Sequence, residues 1–445
     1  MAENKISLRL NSLMQQSGKT AKESFQQLVE VYRGQRHELP RLLNSIMLIL
    51  ARVSSSALGF FTWLLIARFY EANEVGIASG VTSSMMLIVQ LALLGVGSAL
   101  IVLFGKQEQL ARLLDTAFTI VSGAALVIAG IFLLLSSLAF RELVIVSQIP
   151  LYALLFLGIC LFGTVNVLFD HISIAMRRGD EVFSRNALFG IITIVGAILL
   201  PYLTGSYNSM TIIMSWVLAG LGACLLGIIQ ARQSKLHYLY QPKFNRSLSK
   251  DLVSIGLPNY LLTLAERTPN WIIPIAVTEL MSPVDNARWY AVWMMAWVVF
   301  IVPISIGQNL FAEAARKPEA VGNSIRQSIR TALALGFVAA LGVEILAYFL
   351  LWLLGPEYAA AGTTPLRILV LAVFPITIIQ TYFAICRAKR RLLEATLTGL
   401  TSGILGIVMT VLAGMLYGLT SMAIAWLAVQ TISSIWAFWR LNRMG

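Results

Sequence analysis

Acidic residues are scarce in this chain, which holds 21 Asp and Glu against 33 Lys and Arg, with three His and three Cys in 445 residues. Each shortage excludes a class. Only 12% of residues are charged, whereas soluble domains carry about a quarter. With 58% hydrophobic residues and a mean hydropathy of +0.79, the chain is a polytopic membrane protein. Cys160, Cys224 and Cys386 fall in separate apolar stretches with no C-x-x-C and no neighbouring His. That pattern predicts packing residues in a reduced setting, with neither a disulfide framework nor a metal centre. No Walker A sequence is present, so the chain does not itself hydrolyse ATP. Residues 1–40 hold no apolar h-region, and the expectation is a cytoplasmic tail, either amphipathic or loosely ordered, with no cleaved leader.

What is present is a run of twelve apolar spans, at about 42–69, 75–104, 113–139, 149–176, 183–203, 209–231, 251–280, 287–312, 327–354, 364–386, 392–416 and 418–439. The basic connector 232–250 divides them six and six. The expected organisation is a tail (1–40), an N-terminal six-helix bundle (41–231), the connector, a C-terminal bundle (251–440) and a short C-terminus (441–445). The net charge of +12 invites a nucleic-acid partner, but the distribution of charge opposes it. Of the 33 Lys and Arg, 27 fall on one side of the alternating spans, as the positive-inside rule requires. Both termini are therefore expected in the cytoplasm, with the chain in the cytoplasmic membrane and the lipid bilayer as its surroundings.

The first span, Leu42 to Tyr70, carries Arg52 and Arg68. Arg68 lies near an end and can snorkel. Arg52 lies 11 residues past Arg41, about 16 Å into the membrane at the helical rise, where insertion costs roughly 2.5–3.5 kcal/mol. Ser55, Ser56, Gly59 and Thr62 share its face, so it faces a partner or a wet cavity. Span seven matches span one in having a charged centre, Ala265-Glu266-Arg267 against Ala51-Arg52, at an offset of about 213–215. Two such halves entering from the same side would form a parallel repeat with a pseudo-twofold axis along the membrane normal, and a site between them near the midplane.

Ala67-Arg68-Phe69-Tyr70, Glu74-Val75-Gly76-Ile77 and Leu94-Gly95-Val96-Gly97-Ser98-Ala99-Leu100 together resemble the opening of bacterial and archaeal polysaccharide flippases. Leu354-Gly355-Pro356-Glu357-Tyr358, Pro365-Leu366-Arg367-Ile368-Leu369, Arg387-Ala388-Lys389 and Tyr417-Gly418-Leu419 resemble later regions of the same family, in the same order. The resemblance spans roughly 40–440. It implies the multidrug/oligosaccharidyl-lipid/polysaccharide exporter fold, with twelve helices in two bundles. It also implies flipping of a lipid-linked oligosaccharide or O-antigen precursor, with other glycan-assembly membrane proteins as candidate partners. One departure is Tyr70-Glu71-Ala72-Asn73, where the family often has Leu-Gly-Pro.

Such a substrate has an anionic (di)phosphate and a polar head. Arg52 and Arg267 would supply one cation from each half, because a guanidinium binds phosphate through charge-assisted, often bidentate hydrogen bonds. The alternative is an Arg52–Glu266 ion pair that locks the halves together. Asn259, Thr263, Glu266 and Asn270 share one face of span seven, which Pro258, Pro269 and Pro274 should bend. Gln90 on span two, with Asn259 and Asn270, is a candidate donor to substrate. Glu266, Asp170 and Glu344 are candidates to couple H+ or Na+; no other cofactor is expected. Asp170 is read first as a local ion pair with Arg177, and Glu344 alternatively as a pair with Arg367. Trp289, Trp293 and Trp297 at i, i+4 and i+8 are either an interface belt with helix packing or a sugar-stacking face.

Two other functions compete. A cation-coupled multidrug exporter of the same fold would favour a cavity rich in carboxylates, and span one contributes Arg52 and no acid. A membrane glycan polymerase or ligase, the enzyme alternative, needs catalytic residues on sizeable external loops, and those loops are about ten residues or fewer.

Overall fold

The computed structural model describes residues 47–48, 50–51, 54–104, 110–234, 238–316 and 321–444. The N-terminal tail and Arg52 lie outside them. In chain order the helices are α1 (54–69), α2 (Ala72–Ala92), α3 (Val96–Leu103), α4 (Leu110–Ala139), α5 (Ile145–Gln148), α6 (Pro150–Ala175), α7 (Gly179–Thr204) and α8 (Ser209–Gln233). The second half contains α9 (Arg246–Leu280), α10 (Pro283–Arg316), α11 (Val321–Trp352), α12 (Pro356–Val370), α13 (Val373–Ala388), α14 (Leu392–Tyr417) and α15 (Leu419–Asn442). Among the described residues nine helices are long and apolar enough to cross a membrane, and α12 with α13, bent by 46°, makes a tenth. With α1 and the more polar 35-residue α9, the chain is an all-α, multi-pass membrane protein.

The spans follow the sequence expectation with two breaks. Span two is split at Leu94 and Gly95, both at positive φ (47° and 79°), so α3 continues at an angle to α2. The tenth span starts early, with Pro356 in the first turn of α12, where a missing N–H costs nothing. By contrast α9 runs unbroken through Pro258, Pro269 and Pro274. Its start is fixed by Asn245, whose side chain accepts from the backbone N–H groups of Ser247 and Leu248.

The two halves repeat a turn. Between α6 and α7 the backbone N–H of Arg178 donates to Ser173 O at 2.8 Å, with Arg177 at φ 59°. Between α13 and α14 the N–H of Arg391 donates to Cys386 O at 2.8 Å, with Arg390 at φ 57°. Arg178 then pairs with Glu181 at 3.2 Å and Arg391 with Glu394 at 3.6 Å, each three residues on. Every member is displaced by 213 residues, within the offset expected from spans one and seven.

The end of the bundle that carries the connector is here the connector end, and the opposite one the far end. At the far end one apolar core joins both halves, with Trp63, Ile66, Tyr152 and Trp216 from the first and Trp289, Trp293, Tyr358 and Trp426 from the second. Polar contacts reinforce it. Glu279 accepts from the backbone N–H of Arg141 (2.6 Å) and Leu143 (2.7 Å). Asn286 donates to Gly76 O (3.0 Å) and Ser79 Oγ (2.9 Å). Arg68 donates to the carbonyls of Trp352 and Leu353 at 2.7 Å, where α11 ends.

Towards the connector end the core divides. Val96, Leu100, Leu113, Phe169 and Leu252 form one cluster; Leu262, Leu310, Tyr382, Ala395 and Leu441 form another. Helix α9 contributes to both, because its first turns dock on the first half. Tyr238 of the connector donates to Asp115 at 2.7 Å. Burial, and then that hydrogen bond, push its hydroxyl well above the ordinary tyrosine range, so it remains a donor.

Candidate functional site

A cavity of about 320 Å³ lies in the second half, lined by α9, α10, α13, α14 and α15. The polar face of α9 lines it as its spacing predicts: Asn259, Thr263, Glu266 and Asn270 all contribute, with Arg267 beside them. Facing them are Trp293, Trp297 and Gln308 of α10, Gln380 and Arg387 of α13, Ser402 of α14, and Trp426 and Gln430 of α15. Polar residues on α9 are tolerated in a membrane helix because the groups they meet also line this cavity.

Its charged centre is an ion pair. Arg387 Nη2 donates to Glu266 Oε1 at 2.6 Å, and both side chains are mostly buried. Arg267, the next residue to Glu266, acts on the same carboxylate through its charge. The described residues lining the cavity thus hold two guanidinium groups, the mostly buried Arg387 and the exposed Arg267, and one carboxylate. The sequence offers Arg52 as an alternative partner of Glu266, and Arg52 lies outside the described residues; among these the partner is Arg387, 121 residues further along and from the same half. In the sequence Arg387 groups with the basic cluster of Lys389, Arg390 and Arg391. The last turn of α13 directs Arg387 inward, while its cationic neighbours lie at the turn beyond.

Asp170 belongs to a separate network at the connector end of the first half. Its expected partner was Arg177; the structure pairs it with Arg185 of α7 at 2.8 Å. The backbone explains the difference, since Arg177 is the left-handed residue that turns the chain out of α6. Arg185, 2% exposed, also reaches Ser173 and Gln230. Ser173 in turn donates to Glu181 at 2.9 Å. His171 bonds Val167 O through Nδ1, and among the described residues no metal-binding group of His, Cys, Asp or Glu is present.

The remaining candidates stand apart from the cavity. Gln90 gives its backbone carbonyl to the Tyr260 hydroxyl at 2.9 Å and joins α2 to α9. Glu344 lies 3.7 Å from Arg367 on an exposed face, the pair that the sequence offers as an alternative. The tryptophan row divides: Trp289 is fully buried and Trp293 nearly so, while Trp293 and Trp297 line the cavity.

No protein-family model matches the chain, and no curated protein sequence matches it. Solved structures do. An inward-facing multidrug resistance MATE family transporter of the MOP superfamily aligns over 91% of this chain and 98% of its own, with a TM-score of 0.69 at 14% identity. The lipid II flippase MurJ in an inward closed conformation aligns over 89% of this chain and 87% of its own, with a TM-score of 0.71 at 12% identity. The chain has the MOP superfamily fold. A further MOP superfamily transporter, from Pyrococcus furiosus and described as having a binding pocket of reverse polarity, aligns over 90% of this chain and 94% of its own (TM-score 0.62, 14% identity). The MOP members matched here include drug transporters and a lipid flippase, so the fold alone leaves the cargo open.

Proposed function

We propose that this protein moves a lipid-linked oligosaccharide across the cytoplasmic membrane by alternating access, with the (di)phosphate held by Arg267 and Arg387. The observation that supports this reading is the charge of the described cavity lining: Arg267 and Arg387 beside the carboxylate of Glu266. A phosphate competes directly with Glu266 for Arg387, because both are oxyanions suited to its fork. Its arrival breaks the resident pair, and that exchange is a differential contact able to bias one conformation over another. Arg52 would add a cation from the first half. The count of Lys and Arg supports a cytoplasmic connector end.

Glu266 also favours a second reading, a cation-coupled multidrug exporter, because a buried carboxylate can take up H+ or Na+. Asp170 and Glu344 are weaker coupling candidates, being paired with Arg185 and Arg367 outside the cavity. A cationic drug would meet two arginines beside that carboxylate, which tips the case to the glycan.

The test is complementation of a host lacking its polysaccharide flippase, with membrane expression matched. Wild type is expected to restore surface glycan. Arg267→Ala with Arg387→Ala is expected to lower it at least tenfold, and Glu266→Gln to retain some of it. Resistance to cationic dyes without glycan would favour the exporter.

A further inference from the structure

The cavity is polarised along its length. Helix α9 runs from the connector end, so Asn270 lies one turn beyond Glu266 towards the far end. Helices α10 and α15 run the other way, so Trp293 and Trp297 precede Gln308, and Trp426 precedes Gln430. Trp293 and Trp426 thus lie on the far side of the charges, where they belong to the continuous core, and Trp297 stands level with Glu266 across the α9–α10 hairpin. Trp293 and Trp426 meet edge to face, with centroids 5.1 Å apart at 80°.

Beside these rings the cavity holds unused hydrogen-bonding groups. The indole N–H of Trp426 is buried without a partner. Among the described residues the side-chain amides of Asn270, Gln380 and Gln430 make no hydrogen bond, though all three line the cavity. A hydrocarbon chain would leave those groups unpaired at a cost in free energy. A pyranose ring matches both features, with hydroxyls for the amides and a C–H face for the aromatic rings. The volume, about 320 Å³, is at the low end of small-molecule sites and suits one small unit.

We infer that the far side of this cavity is a subsite for a single sugar ring, the one joined directly to the phosphate at Glu266, Arg267 and Arg387. The inference rests on the glycan reading above and makes it specific. The second half alone grips the sugar–phosphate junction, with the ring pointing towards the far end. The rest of the glycan and the lipid lie outside this cavity.

The test measures binding to the full-length protein in nanodiscs by titration calorimetry. The probes are glucose 1-phosphate, N-acetylglucosamine 1-phosphate, inorganic phosphate and geranyl phosphate. At least one sugar 1-phosphate is expected to bind roughly tenfold more tightly than inorganic phosphate. Trp297→Leu is expected to remove that advantage while leaving inorganic phosphate unchanged. If inorganic phosphate binds and neither sugar phosphate binds better, the subsite is wrong and the anion site stands. If geranyl phosphate binds tightest and depends on Trp297, the subsite belongs to lipid and the inference is overturned. If no phosphate ligand binds, the glycan reading fails and the subsite fails with it.

Discussion

Arg185 and Arg387 are the residues on which the two polar networks depend. Arg185 is buried against Asp170, Ser173 and Gln230, so Arg185→Ala would strand Asp170 and cost about 3–5 kcal/mol. Thermal unfolding in detergent should show this as a large drop in Tm. Glu344→Gln should change Tm little, because its pair with Arg367 is half exposed and such pairs contribute at most about 1 kcal/mol. Equal effects of the two substitutions would contradict the assignment of one as a buried network and the other as a surface pair. The contrast also marks what was legible in the sequence. Asn259, Thr263, Glu266 and Asn270 could be placed together because a helical face is a local property with a fixed period. Their partner Arg387, and the partner of Asp170, come from other helices, and no local spacing encodes those meetings.

At the scale of elements, the seam between α2–α3 and α9 is set by glycine. A Cβ on Gly256 would lie 2.1 Å from Gly95 O, and one on Gly95, itself at φ 79°, would lie 2.5 Å from the Gly256 carbonyl carbon. Gly256→Ala must therefore push apart helices from opposite halves, and the expected outcome is loss of well-folded protein by size-exclusion profile. Gly123→Ala, with nothing within 4 Å, is the matched control and should be silent. The repeated turns offer the opposite experiment. Arg177 and Arg390 sit in the left-handed region, which costs a non-glycine residue roughly 1–2 kcal/mol. Arg390→Gly should be neutral or mildly stabilising in Tm, since it relieves that strain. A marked loss would show that the Arg390 side chain holds something the turn does not account for. The sequence displayed the spans but concealed these turns, because a left-handed arginine carries no compositional mark of the kind glycine does.

For the whole molecule, the decisive property is that the far end is closed by contacts between the halves while the core divides at the connector end. At the far end Arg141 and Glu279, one residue from each half, are joined by a 2.6 Å hydrogen bond. On the alternating access proposed above, joining Arg141→Cys and Glu279→Cys by a cleavable bifunctional thiol reagent holds the far end shut and should stop transport until the link is reduced. Singly substituted proteins treated alike should keep working, since the three native cysteines are buried. A repeat was legible because charged centres recur at an offset of about 213–215 residues, and the turns at Arg177 and Arg390 share that spacing. Which end is closed was not, because that depends on contacts such as Arg68 with the end of α11 and Asn286 with Gly76.

The most direct measurement is flipping itself, in proteoliposomes containing a fluorescent polyprenyl-diphosphate glycan, with a membrane-impermeant glycosidase reporting the sugar that reaches the outer leaflet. Wild type should expose glycan faster than protein-free vesicles, and both the Arg267→Ala/Arg387→Ala protein and the cross-linked far-end variant should fall to the vesicle background. Wild type indistinguishable from empty vesicles, while the same preparation transports a lipophilic cation, would contradict the account.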